Sequence, residues 1–85
     1  MSNVEFVDEP IEVIVVIGKQ GQLRPQSVVW RERRYPIVTT GRQWDVEDSR
    51  LVLVEAADGT RFELQLVRET LAWRMKKIWW VQTLA

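Results

Sequence analysis

Aromatic rings and guanidinium groups alternate in one short stretch of the chain, which carries Trp30, Arg31, Arg33, Arg34 and Tyr35. Cations that contact phosphates, beside flat rings on which bases stack, are what a single-stranded nucleic-acid surface needs. A second interpretation is that the two rings are core anchors and the arginines keep a hairpin tip soluble. We favour the second, because twelve basic and twelve acidic residues give zero net charge, which disfavours strong non-specific binding.

Catalytic side chains are scarce in this sequence. The chain has no His and no Cys, so it lacks imidazole acid–base chemistry, thiol catalysis and the usual zinc ligands. Asp45, Glu47 and Asp48 are close enough in sequence to hold a hard cation, but they lack the glycine and distal glutamate of an EF-hand loop. A solvated turn is the simpler interpretation. We therefore expect a protein that is not an enzyme and that has no cofactor and no metal site.

A second candidate for binding is the apolar run at residues 78–81, which contains Trp79 and Trp80. If this run is a strand, the two rings point to opposite faces, and a single small sheet rarely buries both. One of them would then lie on a self-association or partner surface, where Trp is a common anchor. The alternative is that both rings pack against the N-terminal strand. With the apolar residues 11–17, they lead us to expect a homodimer.

The length and composition set the scale of the fold that must position these residues. Eighty-five residues, 46% apolar and 28% charged, are typical of one soluble globular domain spanning residues 1–85. Residues 1–10 contain three acids and no base, so we expect no signal peptide there but a loose N-terminal arm. The longest apolar run is far shorter than the roughly 20 residues that span a bilayer. We expect a cytoplasmic protein with no membrane association.

Two segments carry clear strand signals. Residues 11–18 are almost all β-branched and end at Gly18, which predicts a strand covered on both faces by the domain or by a partner chain. Residues 27–38 form two short apolar runs on either side of the arginine-rich residues 31–34, which is the pattern of a tight hairpin. Pro36 cannot donate a ladder hydrogen bond, so its strand lies at an edge or the proline faces outward. Gly41 and the acidic residues 45–48 are expected to mark the next turn.

The next hairpin, over residues 51–67, allows two registers. A two-residue Asp58-Gly59 turn would place Leu53 opposite Leu64. A type I turn followed by a glycine bulge would instead pair residues 52, 54 and 55 with residues 64, 62 and 61. We favour the second register because it adds a cross-strand pair of opposite charges.

The stretch over residues 69–77 is ambiguous. It is rich in helix formers, with Leu71, Met75 and Ile78 at helical spacing. Read as a strand, it would place Trp73 and Met75 on one face. The pattern alone slightly favours the helix.

A family resemblance favours the strand. Residues 6–13 resemble the opening of a small bacterial family of unknown function, the DUF6504 family, and residues 28–37 are similar to its aromatic signature, with Trp44 nine positions after Tyr35. The family's closing hairpin and its Trp-x-Leu strand resemble residues 52–64 and 73–75. This resemblance implies that residues 72–78 form a strand. Domains related to the family occur beside proteins that resemble error-prone DNA polymerases.

The sequence departs from the family at two places. Glu32 occupies the position of a glycine in the family's tight turn, so the geometry of that turn is open. A long basic insert that often follows the equivalent of Trp44 is replaced here by a short acidic stretch. A function carried by that insert would be missing from this chain.

Together these patterns predict a single all-β domain of five or six antiparallel strands, forming a curled sheet or a small open barrel. For function we predict a non-catalytic protein-interaction module that self-associates or binds an unidentified protein partner. The alternative is a nucleic-acid-binding accessory domain, associated with DNA repair through the resemblance, that uses the basic hairpin at residues 30–35. An enzyme ranks third.

Overall fold

The protein is a closed barrel of six antiparallel strands. A computed structural model describes residues 3–81, and its ladder runs in chain order and returns from the last strand to the first. The all-β prediction is therefore confirmed, and the predicted curled sheet or open barrel closes completely. The strands are β1 (Asn3–Ile17), β2 (Leu23–Trp30), β3 (Arg33–Val46), β4 (Ser49–Ala56), β5 (Arg61–Val67) and β6 (Ala72–Trp80).

The first strand changes partner midway along its length. Its pairs with β6 run from Asn3 to Ile11, and its pairs with β2 run from Glu12 to Ile17. The predicted strand at residues 11–18 is thus the second half of a much longer one. The expected loose arm is wrong for residues 3–10, because their alternating residues pack inward and their backbone pairs with β6. Residues 1 and 2 lie outside the described residues.

The basic hairpin is formed by β2, β3 and a two-residue turn. Val28 pairs with Tyr35 and Trp30 pairs with Arg33, which leaves Arg31 and Glu32 at the turn with φ values of 51° and 64°. Positive φ at both central residues is the conformation of a type I′ turn, which matches the right-handed twist of the strands. Glu32 therefore occupies a backbone conformation that glycine adopts far more readily.

The hairpin of β4 and β5 adopts the register that its charges favoured. Val54 lies opposite Phe62, and Glu55 lies opposite Arg61. Gly59 has a φ of 91°, and its N–H donates a hydrogen bond of 2.9 Å to the carbonyl of Ala56. The positive φ at the tip lets the chain reverse without strain. The prediction of a bulged type I turn is confirmed.

The last strand, β6, confirms the prediction from the resemblance and excludes the helix. A β-bulge explains why the sequence pattern was ambiguous. Glu63 pairs with Lys77 and the next residue, Leu64, pairs with Met75, so Lys76 is an extra residue on β6. The extra residue brings Met75 and Ile78, three apart, to the same buried side. A strand with this bulge therefore has buried residues three positions apart, which is also the spacing of one face of a helix.

Gly41 does not mark a turn as expected. It lies within β3, where Thr40 pairs with Val54 and Gln43 pairs with Val52. Two residues of β3 therefore oppose Leu53 alone, which is the arrangement of a β-bulge. The acidic stretch does contain the turn that follows, at residues 47 and 48.

The inside of the barrel is filled by buried apolar side chains from β2 to β6, and partly buried ones from β1 pack against them. The fully buried ones include Val28, Val52, Phe62, Leu64, Met75 and Ile78. Burial of these side chains stabilises the domain by roughly 25 cal/mol for each Å² of apolar surface removed from water. No side-chain nitrogen or oxygen that is buried within residues 3–81 lacks a hydrogen-bond partner.

Candidate interaction surfaces

The two rings of the basic hairpin belong to the core. Trp30 is 3% exposed and Tyr35 is 5% exposed. Their ring centroids lie 6.4 Å apart, and Tyr35 meets Phe62 edge-to-face at 5.0 Å. A base cannot stack on a ring whose faces already contact protein side chains. The structure therefore places these two residues as the core anchors of the second interpretation.

The arginines of the same hairpin are exposed, and two of them face acids. Arg31 binds Glu9 through two hydrogen bonds of 3.1 and 2.7 Å, and its guanidinium covers the Trp30 ring at 4.3 Å. Arg33 lies 3.8 Å from the carboxylate of Asp58. Arg34 is exposed on β3 opposite Val29. The positive charge of this hairpin is thus largely balanced within the protein.

Two glutamates of β1 bind the indole groups at one end of the barrel. The indole N–H of Trp30 donates to Glu9 at 2.9 Å, and that of Trp80 donates to Glu5 at 3.0 Å. The hydrogen bonds from Arg31 and then Trp30 lower the pKa of Glu9 below its ordinary value of 4.5. The same carboxylate raises the pKa of the Arg31 guanidinium. This cluster holds β1 against the basic hairpin.

Trp79 and Trp80 point to opposite sides of the barrel wall. Trp80 faces the core side, where its ring centroid lies 5.8 Å from that of Trp30. Trp79 pairs across the ladder with Arg61, which is an exposed residue of β5. The ladder therefore puts Trp79 on the outer face. The two rings separate as a strand requires, and one of them lies where a partner can reach it.

An open groove of about 740 Å³ lies beside Trp79. Its apolar lining includes Leu53, Trp79 and Val81, together with Val54, Phe62 and Trp80, and Gly41 lies at its β3 side. A side chain at Gly41 would meet the backbone oxygen of Leu53 at 3.6 Å and its Cβ at 3.8 Å. Glycine at this bulge therefore keeps the surface above Leu53 uncovered. We call this feature the Trp79 groove.

Charged groups flank the apolar part of the Trp79 groove. Glu55 and Arg61 both line it and form an ion pair of 3.2 Å with each other. Arg42 also lines it, and its guanidinium lies 5.1 Å from the ring centroid of Trp44. Within residues 3–81, Arg42 forms no ion pair. The groove thus combines an apolar surface with one cation that no described acid neutralises.

The acidic stretch considered as a cation site is engaged with arginines. Asp45 accepts a hydrogen bond of 3.2 Å from Arg50 and a second one from Arg68. In the described part of the chain, no three His, Cys, Asp or Glu side chains come together as metal ligands. Asp45 therefore serves to join β3, β4 and the turn after β5.

Sequence reasoning identified Trp79 but missed most of the groove around it. Leu53 and Arg42 lie 26 and 37 positions before Trp79 in the chain, and only the closed ladder brings them together. One signal was present, because Leu53 is a large apolar residue at an outward position of the β4–β5 hairpin. In the favoured register, Leu53 lies opposite the charged Glu63. An apolar residue there is hard to explain as part of the core.

Comparisons with known proteins found no relative of this chain. No known protein family, no curated protein and no solved structure matches it. Across residues 3–81, no helix is long and apolar enough to cross a membrane.

Proposed function

We propose that the protein is a non-catalytic protein-interaction module whose docking surface is the Trp79 groove. The observation that carries this proposal is the position of Trp79 on the outer face, beside Leu53 in an open groove of about 740 Å³. Aromatic anchors of this kind dominate the free energy of many protein interfaces. The absence of His and Cys from the sequence supports a role in binding over catalysis.

The partner that fits this groove is an extended peptide segment with an apolar side chain next to an acidic one. The apolar side chain would lie between Leu53 and Trp79, where it removes both from water. The carboxylate would lie at Arg42, whose guanidinium matches it in charge and in its paired hydrogen-bond donors. Arg61 is a weaker partner because Glu55 already binds it at 3.2 Å.

The groove is tested by selecting phage-displayed random peptides on the immobilised protein. The wild type is expected to enrich peptides with an apolar residue beside Asp or Glu. Trp79→Ala should enrich no such group, and Arg42→Glu should lose the preference for acids or replace it with one for bases. Leu71→Ala, which changes an exposed apolar side chain outside the groove, should select the same peptides as the wild type.

A selected synthetic peptide then locates the site directly. In a titration followed by NMR, the indole N–H resonance of Trp79 should move, while that of Trp30 should stay, because Trp30 does not line the groove and its N–H is bonded to Glu9. The proposal is overturned if the wild type enriches no common peptide pattern. It is equally overturned if Trp79→Ala retains the pattern of the wild type.

The nucleic-acid alternative has less support. It rests on the resemblance to the DUF6504 family and on the exposed guanidinium groups of Arg31, Arg33 and Arg34. The burial of Trp30 and Tyr35 counts against it, since the aromatic platform that single strands require is inside the barrel. Two of the three arginines also face carboxylates.

A further inference from the structure

One edge of β1 is left without a partner strand where β6 begins. The final pair between β1 and β6 joins Ile11 to Trp73. From Glu12 onward, β1 pairs with β2 on its other edge. No other strand of residues 3–81 pairs with residues 12–17. We call this stretch of β1, residues 12–17, the open edge.

The open edge lacks the devices that usually protect an exposed strand. Proteins block such edges with charged side chains, with proline or with short strands. The first half of β1 has these features, since it carries Asp8 and Pro10. The open edge has no proline and no charge between Val13 and Ile17. Its backbone is therefore free to add another strand.

The outward side chains along the open edge are apolar as well. Ile14 is 55% exposed and Val16 is 42% exposed, although both are β-branched residues that pack well in sheets. A strand added here would cover these side chains as well as pair with the backbone. The feature is thus an edge and an apolar surface together.

We propose that the open edge pairs antiparallel with the open edge of a second copy of the chain, with the two-fold axis at Val15. In this register, Ile14 of each copy lies opposite Val16 of the other, and both face outward as they do in the monomer. A symmetric pair of this kind is self-complementary, as a two-fold interface requires. Opposed β-branched side chains at such positions stabilise a sheet.

The charges at the two ends of the segment favour a second copy over another partner. Glu12 precedes the apolar run and Lys19 follows it. Antiparallel pairing about Val15 puts Glu12 opposite Gly18 of the other copy, one position from its Lys19. Opposite charges therefore meet at both ends of the dimer, whereas a parallel arrangement would bring like charges together. Because one short strand pair buries little area, we expect a dissociation constant in the micromolar range.

Sedimentation equilibrium of the full chain tests the dimer. At about 100 µM protein, well above a micromolar dissociation constant, the wild type should have twice the 10.1 kDa mass of the monomer. Ile14→Lys should raise the dissociation constant at least about tenfold. The matched control Val38→Lys, at an exposed valine of β3, should remain dimeric. A monomeric wild type, or an Ile14→Lys dimer as tight as the wild type, overturns the proposal.

Hydrogen exchange tests the pairing without any substitution. Amides of the open edge that point away from β2 should exchange slowly at about 100 µM and fast on dilution well below the dissociation constant. Amides of β4 and β5 should not depend on concentration. Equal exchange of the open edge at both concentrations overturns the proposal. The groove is tested separately, because Trp79→Ala should leave the dimer intact and Ile14→Lys should leave peptide selection unchanged.

Discussion

The carboxylate of Glu9 accepts a hydrogen bond of 2.9 Å from the indole N–H of Trp30. This contact joins two strands that are not paired at this level, since β2 meets β1 only from Glu12 onward. It also satisfies the polar atom of a ring that is otherwise buried, which would be costly to leave unpaired. Arg31 binds the same carboxylate from outside. Glu9 therefore fixes the basic hairpin to the first half of β1.

We predict that Glu9→Gln lowers the free energy of unfolding at neutral pH. The difference between the wild type and the variant should become smaller in acid. The pKa of Glu9 is lowered in the folded protein, so its ionised form stabilises the fold above the ordinary value of 4.5. That stability is lost as the pH falls through the lowered pKa. Urea unfolding of both proteins at about pH 7 and about pH 3 measures the difference.

Subtracting the unfolding free energy of Glu9→Gln from that of the wild type removes the contribution of other acids that titrate in the same pH range. The pKa values of Asp8 and Asp58 are also lowered, by the side chains of Arg74 and Lys76 and by the backbone N–H of Thr60 respectively. Both acids are present in the wild type and in the variant. A difference in unfolding free energy that does not change with pH would contradict the role assigned to Glu9.

Replacing Glu32 by glycine should stabilise the fold. Glu32 has a φ of 64°, and the left-handed region strains a residue with a side chain by roughly 1–2 kcal/mol. Glycine removes that strain, and the expected gain is about 0.5–1 kcal/mol after its greater freedom in the unfolded chain is considered. Thermal unfolding measures the gain. The control Arg24→Gly, in the regular part of β2, should lose about 0.5–1 kcal/mol.

The two adjacent tryptophans should respond differently to truncation. Trp80→Ala opens a cavity beside Trp30 and removes the hydrogen bond to Glu5, so we expect a loss of about 3 kcal/mol. Trp79→Ala removes a ring from the outer face, and the loss should be less than about 1 kcal/mol. Denaturant unfolding of the two variants measures both values. Similar losses would contradict the placement of the two rings on opposite sides.

Single-stranded nucleic acid should not bind the basic hairpin. We expect no binding of labelled single-stranded DNA or RNA by about 100 µM protein at about 50 mM salt, where phosphate contacts are strongest. Fluorescence anisotropy measures this directly. A contrary result would be binding that weakens when Arg31, Arg33 and Arg34 are replaced by Ala one at a time, with an affinity that depends less on salt. That result would favour the nucleic-acid alternative over the interaction module.

Local chemistry explains which parts of the fold could be predicted from the sequence. The β4–β5 hairpin was predictable because Gly59 and the pair Glu55 and Arg61 specify both a turn and a register. The helical spacing of Met75 and Ile78 wrongly favoured a helix. The bulge at Lys76 places these two residues, three positions apart, on the same inward side of β6. Bulges depend on the partner strand, so a single segment does not reveal them.

The closure of the barrel and the Trp79 groove could not be predicted, because both depend on distant pairing. Residues 3–10 look like a polar arm in sequence, but their acids are matched by β6 and the hairpin. Asp8 accepts a hydrogen bond of 2.6 Å from Arg74, which is 66 positions away along the chain. Charges that appear solvated in a linear sequence thus become the contacts that close the barrel.

The pairing of β1 with β6 also determines when the protein can fold during its synthesis. The bond between Trp80 and Glu5 spans 75 positions, and the first half of β1 has no other partner strand. The ribosome makes this half before β6, so it stays unpaired until β6 has emerged. Contacts at such separations slow folding because a long loop must close before they form. Until then the nascent chain exposes Val7 and Ile11, which pack against the core in the folded barrel, so this segment is a natural site for a chaperone to bind.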